Sequence, residues 1–359
     1  MAIRSIFGLD DVVLPSAPPT TPQVFPGLPF TFTPGIVGST AVTYAKDAGW
    51  LKMTTAINNG NAGNKQNFFS CTMQQLGLTP TPTSEFTIGM RWLCPQSAPS
   101  ITSWPHPFVF VTAISVANAN TAAVFGFNNI VPALVANVEY YLEATFDLTA
   151  GTMKRYVDGA LIDTIAIPAT PLAGMRAGTA LFASGVPYQG GGTNVDYSYW
   201  IKDFYVSEKT SDGTANGPLG PQRIVPITVA SVDQPTWAAT GAADAVTALN
   251  TPITDAASQL TPVVVSDTAA PSTNVALTSE LFLGPVNAVV LRMTARKNNG
   301  AAGQVAARVT TGADNSPDVT ASLSNAMSIT NIYQSEKSPS GVKWTRASLQ
   351  SAVLKLSVL

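Results

Sequence analysis

The chain has 359 residues with 19 Lys or Arg and 21 Asp or Glu, a formal net charge of −2 and a charged fraction of 11%. That fraction is well under the roughly 25% usual for soluble globular proteins, and no dense Lys/Arg run offers phosphates a counterion-releasing surface, which does not suit a nucleic-acid binder. No apolar run reaches the 18 or so residues that a membrane span requires, and the start MAIRSIFGLDD, with one arginine and no long apolar core, is not a secretory signal. A surface this poor in charge has to be built from Thr, Ser, Asn, Ala and Gly, which suits a β-rich protein in a crowded assembly. The length sets a soft expectation of two domains, each able to bury a sizeable core.

Residues 1–34 form the first unit. Prolines at 15, 18, 19, 22, 26, 29 and 34 fix φ and remove backbone donors, so this stretch is extended, near polyproline II, and neither helix nor interior strand. Ile3, Ile6, Phe7, Leu9, Val24 and Phe25, with Val12, Val13 and Leu14, give it too much apolar content for a solvated tail. The expectation is an arm that packs on a neighbouring subunit or inserts into the assembly through these side chains.

Short strand-like runs then recur at 30–32, 50–54, 68–73, 86–92, 108–114 and 123–127, punctuated by Asn58-Asn59-Gly60 and Asn61-Ala62-Gly63. Strands at this spacing with turn signals between them read as a sandwich or barrel. The two cysteines, Cys71 and Cys94, leave two readings open. They are buried free thiols of a reducing compartment, or, if 67–75 and 86–94 pair as a hairpin centred near Pro82, they face each other across the ladder. A disulfide would then need a Cα separation of about 4.4 to 6.8 Å.

The stretch 137–164 is the most legible. Val138, Tyr140, Leu142, Ala144 and Phe146 share one face, and Glu139, Tyr141, Glu143, Thr145 and Asp147 the other, the period-two pattern of a strand with one buried face. Thr149-Ala150-Gly151 turns the chain, 153–157 forms a second strand, Asp158-Gly159 is a hairpin dipeptide, and 161–165 completes an antiparallel meander.

Residues 209–226 are a linker by composition, KTSDGTANGPLGPQRIVP. Beyond it, the Ala-rich part of 232–249 suits a short helix. Alternation at 289–296, then Asn298-Asn299-Gly300, then Val305, Ala307 and Val309 reads as a hairpin. Residues 344–349 read as a helical turn capped by Thr345, and 353–358 as a final strand.

The chemistry expected of an enzyme is sparse. One histidine, His106, makes no multi-His metal site, and two cysteines do not complete a zinc centre. There is no Gly-x-Ser-x-Gly elbow, P-loop, dinucleotide fingerprint or EF-hand loop, and Gly190-Gly191-Gly192 reads as a loop. Glu139, Glu143 and Asp147 share a strand face, but their four-residue spacing is about 13 Å. A retaining glycosidase needs about 5 to 5.5 Å and an inverting one about 6.5 to 9.5 Å, so the trio reads as a solvated strand face, and a catalytic pair would have to be assembled across strands.

The block YYLEATFDLTAGTMKRYVDGALIDT, 140–164, resembles the central meander of laminin-G-like, concanavalin A-like jelly rolls, and VDYSYWIKDFYVSE, 195–208, is similar to their closing strand. With the linker and a second small β domain, roughly residues 30–359 resemble virion structural proteins of tailed bacteriophages. The resemblance implies an all-β chain: an extended arm (1–34), a jelly-roll sandwich (35–208), a Pro/Gly linker (209–230) and a smaller β-sandwich-like domain (231–359). It implies a non-enzymatic virion component, at the tail or baseplate as a fibre-like or decorating protein, or at the capsid or collar. The partners implied are other virion proteins and copies of itself, with no cofactor, no metal, no nucleic acid and no membrane insertion. The alternative is a glycan-binding host-receptor module, with Trp104, His106 and Phe108 in a Pro-braced loop and Tyr188 beside the glycine loop as stacking platforms; an endo-acting glycosidase comes third. Some laminin-G-like domains hold calcium, for which Asp158, Asp196 and Asp203 are candidates that their spacing does not single out.

Overall fold

The computed structural model describes residues 2–8, 14, 23–24, 31–32, 43–57, 66–79, 81, 84–93, 106–111, 125–126, 134–186, 195–209, 217–225, 227–233, 238–240, 242–250, 263–265, 272–278, 286–295, 303–324 and 328–359. The chain forms two compact units, Met1–Ile224 and Val225–Leu359. It is an all-β protein of antiparallel sheets.

The first unit contains, in chain order, β1 (Ala2–Phe7), β2 (Gln23–Val24), β3 (Thr31–Phe32), β4 (Thr43–Asp47), β5 (Trp50–Ile57), β6 (Gln66–Thr72), β7 (Glu85–Leu93), β8 (His106–Val111), β9 (Phe125–Gly126), β10 (Glu139–Asp147), β11 (Thr152–Val157), β12 (Ala160–Ala166), α1 (Ala169–Arg176), β13 (Leu181–Val186) and β14 (Val195–Glu208). One sheet runs β12-β11-β10-β7-β14-β5-β4, with β1 also on β14; the other runs β2-β3-β6-β13-β8-β9. The core lies between them. Alternate residues of the first sheet, among them Met53, Ile88, Met90, Trp92, Leu142, Ala144, Phe146 and Ile201, meet Cys71 and Phe182 of the second. Phe86 stacks on Phe146 at 4.9 Å within the first sheet, and Phe182 and Phe204 lie 5.9 Å apart across the sandwich. The meander forms as β10, β11 and β12, with the last hairpin turning on Asp158 and Gly159, both at positive φ (50° and 82°) as that turn demands.

Over Ala2–Phe7 the segment expected to reach a neighbouring subunit is extended, and its partner there is its own sheet. Strand β14 has 14 residues, and β5 pairs only with Val195–Ile201 on that side. The remaining N–H and C=O groups there would be orphaned, and β1 takes them, with Ile6 opposite Tyr205 and Phe7 opposite Phe204. Ile3 is in the same strand, Phe7 is buried, and its ring lies 5.9 Å from that of Phe204. Val24 is in β2, paired with β3. Leu9 and Phe25 lie outside the described residues.

The hairpin that would have set Cys71 against Cys94 does not form. Strand β6 pairs with β13 and β3 in one sheet, and β7 pairs with β10 and β14 in the other. The residues between them carry a crossing rather than a tight turn, since Met73, Leu76 and Leu78 are buried in the core. Cys71 is a free, buried thiol; Cys94 lies outside the described residues.

The second unit contains β15 (Thr228–Val232), β16 (Ala238–Thr240), α2 (Ala245–Asn250), β17 (Val263–Val265), β18 (Ser272–Thr278), β19 (Val289–Ala295), β20 (Gly303–Thr311), β21 (Asp314–Asn315), β22 (Val319–Leu323), β23 (Ser328–Ser335), α3 (Arg346–Gln350) and β24 (Ala352–Val358). Its main sheet is β15-β18-β24-β20-β21 with β22 on β20, and β16-β17 and β19-β23 form separate pairs. Val289, Ala307, Val309, Trp344, Leu349 and Leu356 make its core. Thr345 caps α3 in a reciprocal capping box with Ser348, as its position before the turn predicts. The hairpin expected around Asn298-Asn299-Gly300 is not made. Strand β19 pairs with β23 while β20 pairs with β24 and β22, and the dipeptide signal lies outside the described residues.

Candidate functional site

The outer face of the first sheet carries the residues that alternate with the core: Thr87, Gly89 and Arg91 on β7, Tyr141, Glu143 and Thr145 on β10, and Tyr205 and Ser207 on β14. The sequence reads Glu139, Glu143 and Asp147 on β10 as a solvated strand face. Glu143 is instead 0% exposed, with Tyr141 and Thr145 also buried.

Residues 217–224, expected as linker, make a strap bonded to this face. Glu143 Oε1 accepts the Leu219 N–H at 2.8 Å and Oε2 the Gly220 N–H at 3.1 Å, and the Tyr205 hydroxyl donates to Glu143 Oε1. Asp203 Oδ1 accepts the Ile224 N–H at 2.9 Å. Arg91 aims its Nε–H at the Gln222 carbonyl, 3.1 Å away, and the same Nε lies 2.7 Å from Asp203 Oδ2 as an ion-pair contact. Arg91 also pairs through Nη1 with Glu139. Beside them the Thr87 and Thr145 hydroxyls bond at 2.8 Å.

Two backbone features allow this. Gly89 stands opposite both Glu143 and Tyr205, and a Cβ there would come 2.2 Å from Tyr205 Cε1, so the missing side chain is what lets the tyrosine ring cross the strand to Glu143. Asp203 has φ 52° within a register shift between Lys202 and Tyr205, a bulge that re-aims its carboxylate at the strap. Burial raises the Glu143 and Asp203 carboxyls above their ordinary range, and the hydrogen bonds they accept offset only part of that. Burial, and then the neighbouring Glu143 charge, push the Tyr141 and Tyr205 phenols well up. Chemically this is a clamp. Both Glu143 oxygens accept from backbone amides, so the carboxylate holds the strap on the sheet.

Beside the strap the face changes character. Trp50-Leu51-Lys52 on β5 and Trp200-Ile201-Lys202 on β14 run antiparallel, with Trp200 opposite Lys52. Lys52 Nζ lies 4.9 Å from the Trp200 ring centroid and Lys202 Nζ 4.1 Å from that of Trp50. The Trp200 Nε1–H donates to Asp47 Oδ2 at 3.0 Å, and the Thr54 and Ser198 hydroxyls bond at 2.8 Å. Trp50 is buried, whereas Trp200, Lys52 and Lys202 are partly exposed.

Of the platforms expected from sequence, two fall on a described strand. Trp104 and Tyr188 lie outside the described residues, and His106 and Phe108 belong to β8, where His106 pairs with Gly185 in a ladder rather than standing in a loop. Of the three calcium candidates, the two with described side chains hold backbone amides of the chain itself. Asp158 accepts the Tyr141 N–H at 2.8 Å, Asp203 serves the strap, and Asp196 is in β14 opposite Ala56. Among the described residues no group of three His, Cys, Asp or Glu could hold a metal ion. The clamp and the Trp–Lys pairs had weak signals in the sequence, a glycine inside an otherwise apolar strand and a repeated W-x-K.

No family model matches the chain, and no curated protein matches it either. Among solved structures it is similar to an endo-1,3-beta-glucanase from Streptomyces sioyaensis (11% identity, 54% of this chain and 98% of that one, TM-score 0.32) and to alginate lyase A1-II', a member of polysaccharide lyase family 7 (12%, 46% and 82%, TM-score 0.31). It is also similar to the binding domain of botulinum neurotoxin serotype D/C (15%, 55% of this chain, TM-score 0.29), of which it spans about half, 48%.

Proposed function

We propose that the protein is a non-enzymatic structural component of a tailed-phage virion, in which the first unit is a display module and low-charge surfaces meet neighbouring proteins. The observation that carries the non-enzymatic half is the clamp. The best-placed acid of the long meander strand, Glu143, is consumed by the Leu219 and Gly220 amides and the Tyr205 hydroxyl, so it holds the protein's own chain in place of a scissile bond. The virion half rests on the resemblance of 140–164 and 195–208, and on a charged fraction of 11%, which favours surfaces that end as interfaces. Immunogold labelling of intact particles is expected to mark a fixed position, at the tail or baseplate, and sedimentation of the purified protein to give a closed oligomer. Absence from purified particles, or release of reducing ends from bacterial polysaccharide by the purified protein, overturns the reading.

A further inference from the structure

We infer that the Trp50–Lys52/Trp200–Lys202 patch on the outer face of the first sheet is a binding site for a neutral saccharide chain, with Trp200 as the stacking platform. This goes beyond the structural role and holds whatever particle carries the protein.

Sheet stability alone does not call for this arrangement. Each tryptophan has a lysine ammonium against its ring, and neither Lys52 nor Lys202 makes an ion pair with a described residue. A cation on an exposed ring is held by about 0.5–1 kcal/mol, against roughly 1.5–3 kcal/mol for a hydrogen bond to a charged group. A ligand hydroxyl therefore outcompetes the ring for the Lys52 ammonium and frees the Trp200 face for the apolar side of a pyranose. Asp47 fixes the indole by its edge in advance, so little ordering is left to the moment of binding. The Thr54–Ser198 hydroxyl pair, two residues along each strand and so about 7 Å away, adds groups that both donate and accept.

Charge balance decides the class of sugar. Around the two tryptophans both signs are present and largely paired: Lys52 and Lys202 lie on the rings, Asp47 accepts from Trp200, and Arg91 pairs with Asp203 and Glu139. A polyanion would meet carboxylates beside the cations. A polyhydroxyl ligand uses both signs, donating to Asp47 and accepting from Lys52.

The test is calorimetric titration of the full chain with gluco-oligosaccharides of β-1,3, β-1,4 and α-1,4 linkage, and with oligogalacturonate and heparin fragments as charged probes. At least one neutral series is expected to bind, with an affinity that changes less than about twofold between roughly 50 and 500 mM salt. Trp200→Ala is expected to weaken it about tenfold or more, Lys52→Ala about threefold, and Trp200→Phe to keep most of it, because the phenyl ring retains a stacking plane. Far-UV circular dichroism and the melting curve check that each variant folds. Failure of every neutral probe to bind the folded chain overturns the inference. So does binding indifferent to Trp200→Ala in a folded variant, or binding confined to the charged probes and lost with salt.

Discussion

Glu143 and Gly89 act as one device, and each fails in its own way. In Gly89→Ala the new methyl group enters the Tyr205 ring, 2.2 Å from Cε1, so the ring must swing off Glu143 or the strand must shift. Alanine is the better strand residue by propensity, so a loss of stability isolates the steric clash; about 1–3 kcal/mol is expected, read as a lowered denaturant midpoint at unchanged slope. Glu143 predicts a pH dependence. Its carboxyl, ordinarily at 4.5, is raised in the folded state by burial, as is that of Asp203, ordinarily at 3.8. Between the ordinary and raised values the folded chain holds a proton that the unfolded chain has released. The stabilisation is thus fully present below the ordinary range and is lost as pH rises through the raised one. The melting temperature of the first unit is expected to fall over that interval, and Glu143→Gln, which does not titrate, to flatten the fall whatever it does to the absolute level.

At the scale of elements, β14 organises the first unit. Its 14 residues serve β7 along one edge and β5 and β1 in succession along the other. Strand β1 is therefore part of the sheet, and Phe7→Ala is expected to cost about 3–5 kcal/mol as a core truncation, measured by equilibrium unfolding of the whole chain. A phenylalanine on a loose arm would cost nothing there. The apolar residues of this segment were legible in the sequence, but not their partner, because alternation states that a face is covered and not by what. The meander was legible in full, since period-two alternation and Asp158-Gly159 are local. The pairings inferred for 67–94 and around Asn298-Asn299-Gly300 failed for the complementary reason. A turn signal proposes that its flanks pair, but longer-range partners, β13 and β3 for β6 and β23 for β19, displaced the local choice.

At the scale of the molecule, the all-β character followed from strand spacing and turn chemistry, whereas the site did not, because its parts meet only through register. Asp47 and Trp200 are 153 positions apart, and nothing in either neighbourhood announces the other. The same holds for the strap, whose Pro/Gly composition reads as a spacer until Glu143 and Asp203 are seen to hold it. The first unit ends at Ile224, 16 residues past the last strand residue Glu208. A fragment of residues 1–224 is expected to melt cooperatively. A fragment of residues 1–208 is expected to be less stable by several kcal/mol, since it strips amide partners from two buried carboxylates; calorimetry of the two compares them directly. One consequence is mechanical. A tensile load entering at Ile224 meets the anchors of the strap one after another. It arrives at Asp203 in the sheet, then at Arg91 on the Gln222 carbonyl and next at Glu143, so the strap leaves the sheet only as these anchors shear in turn.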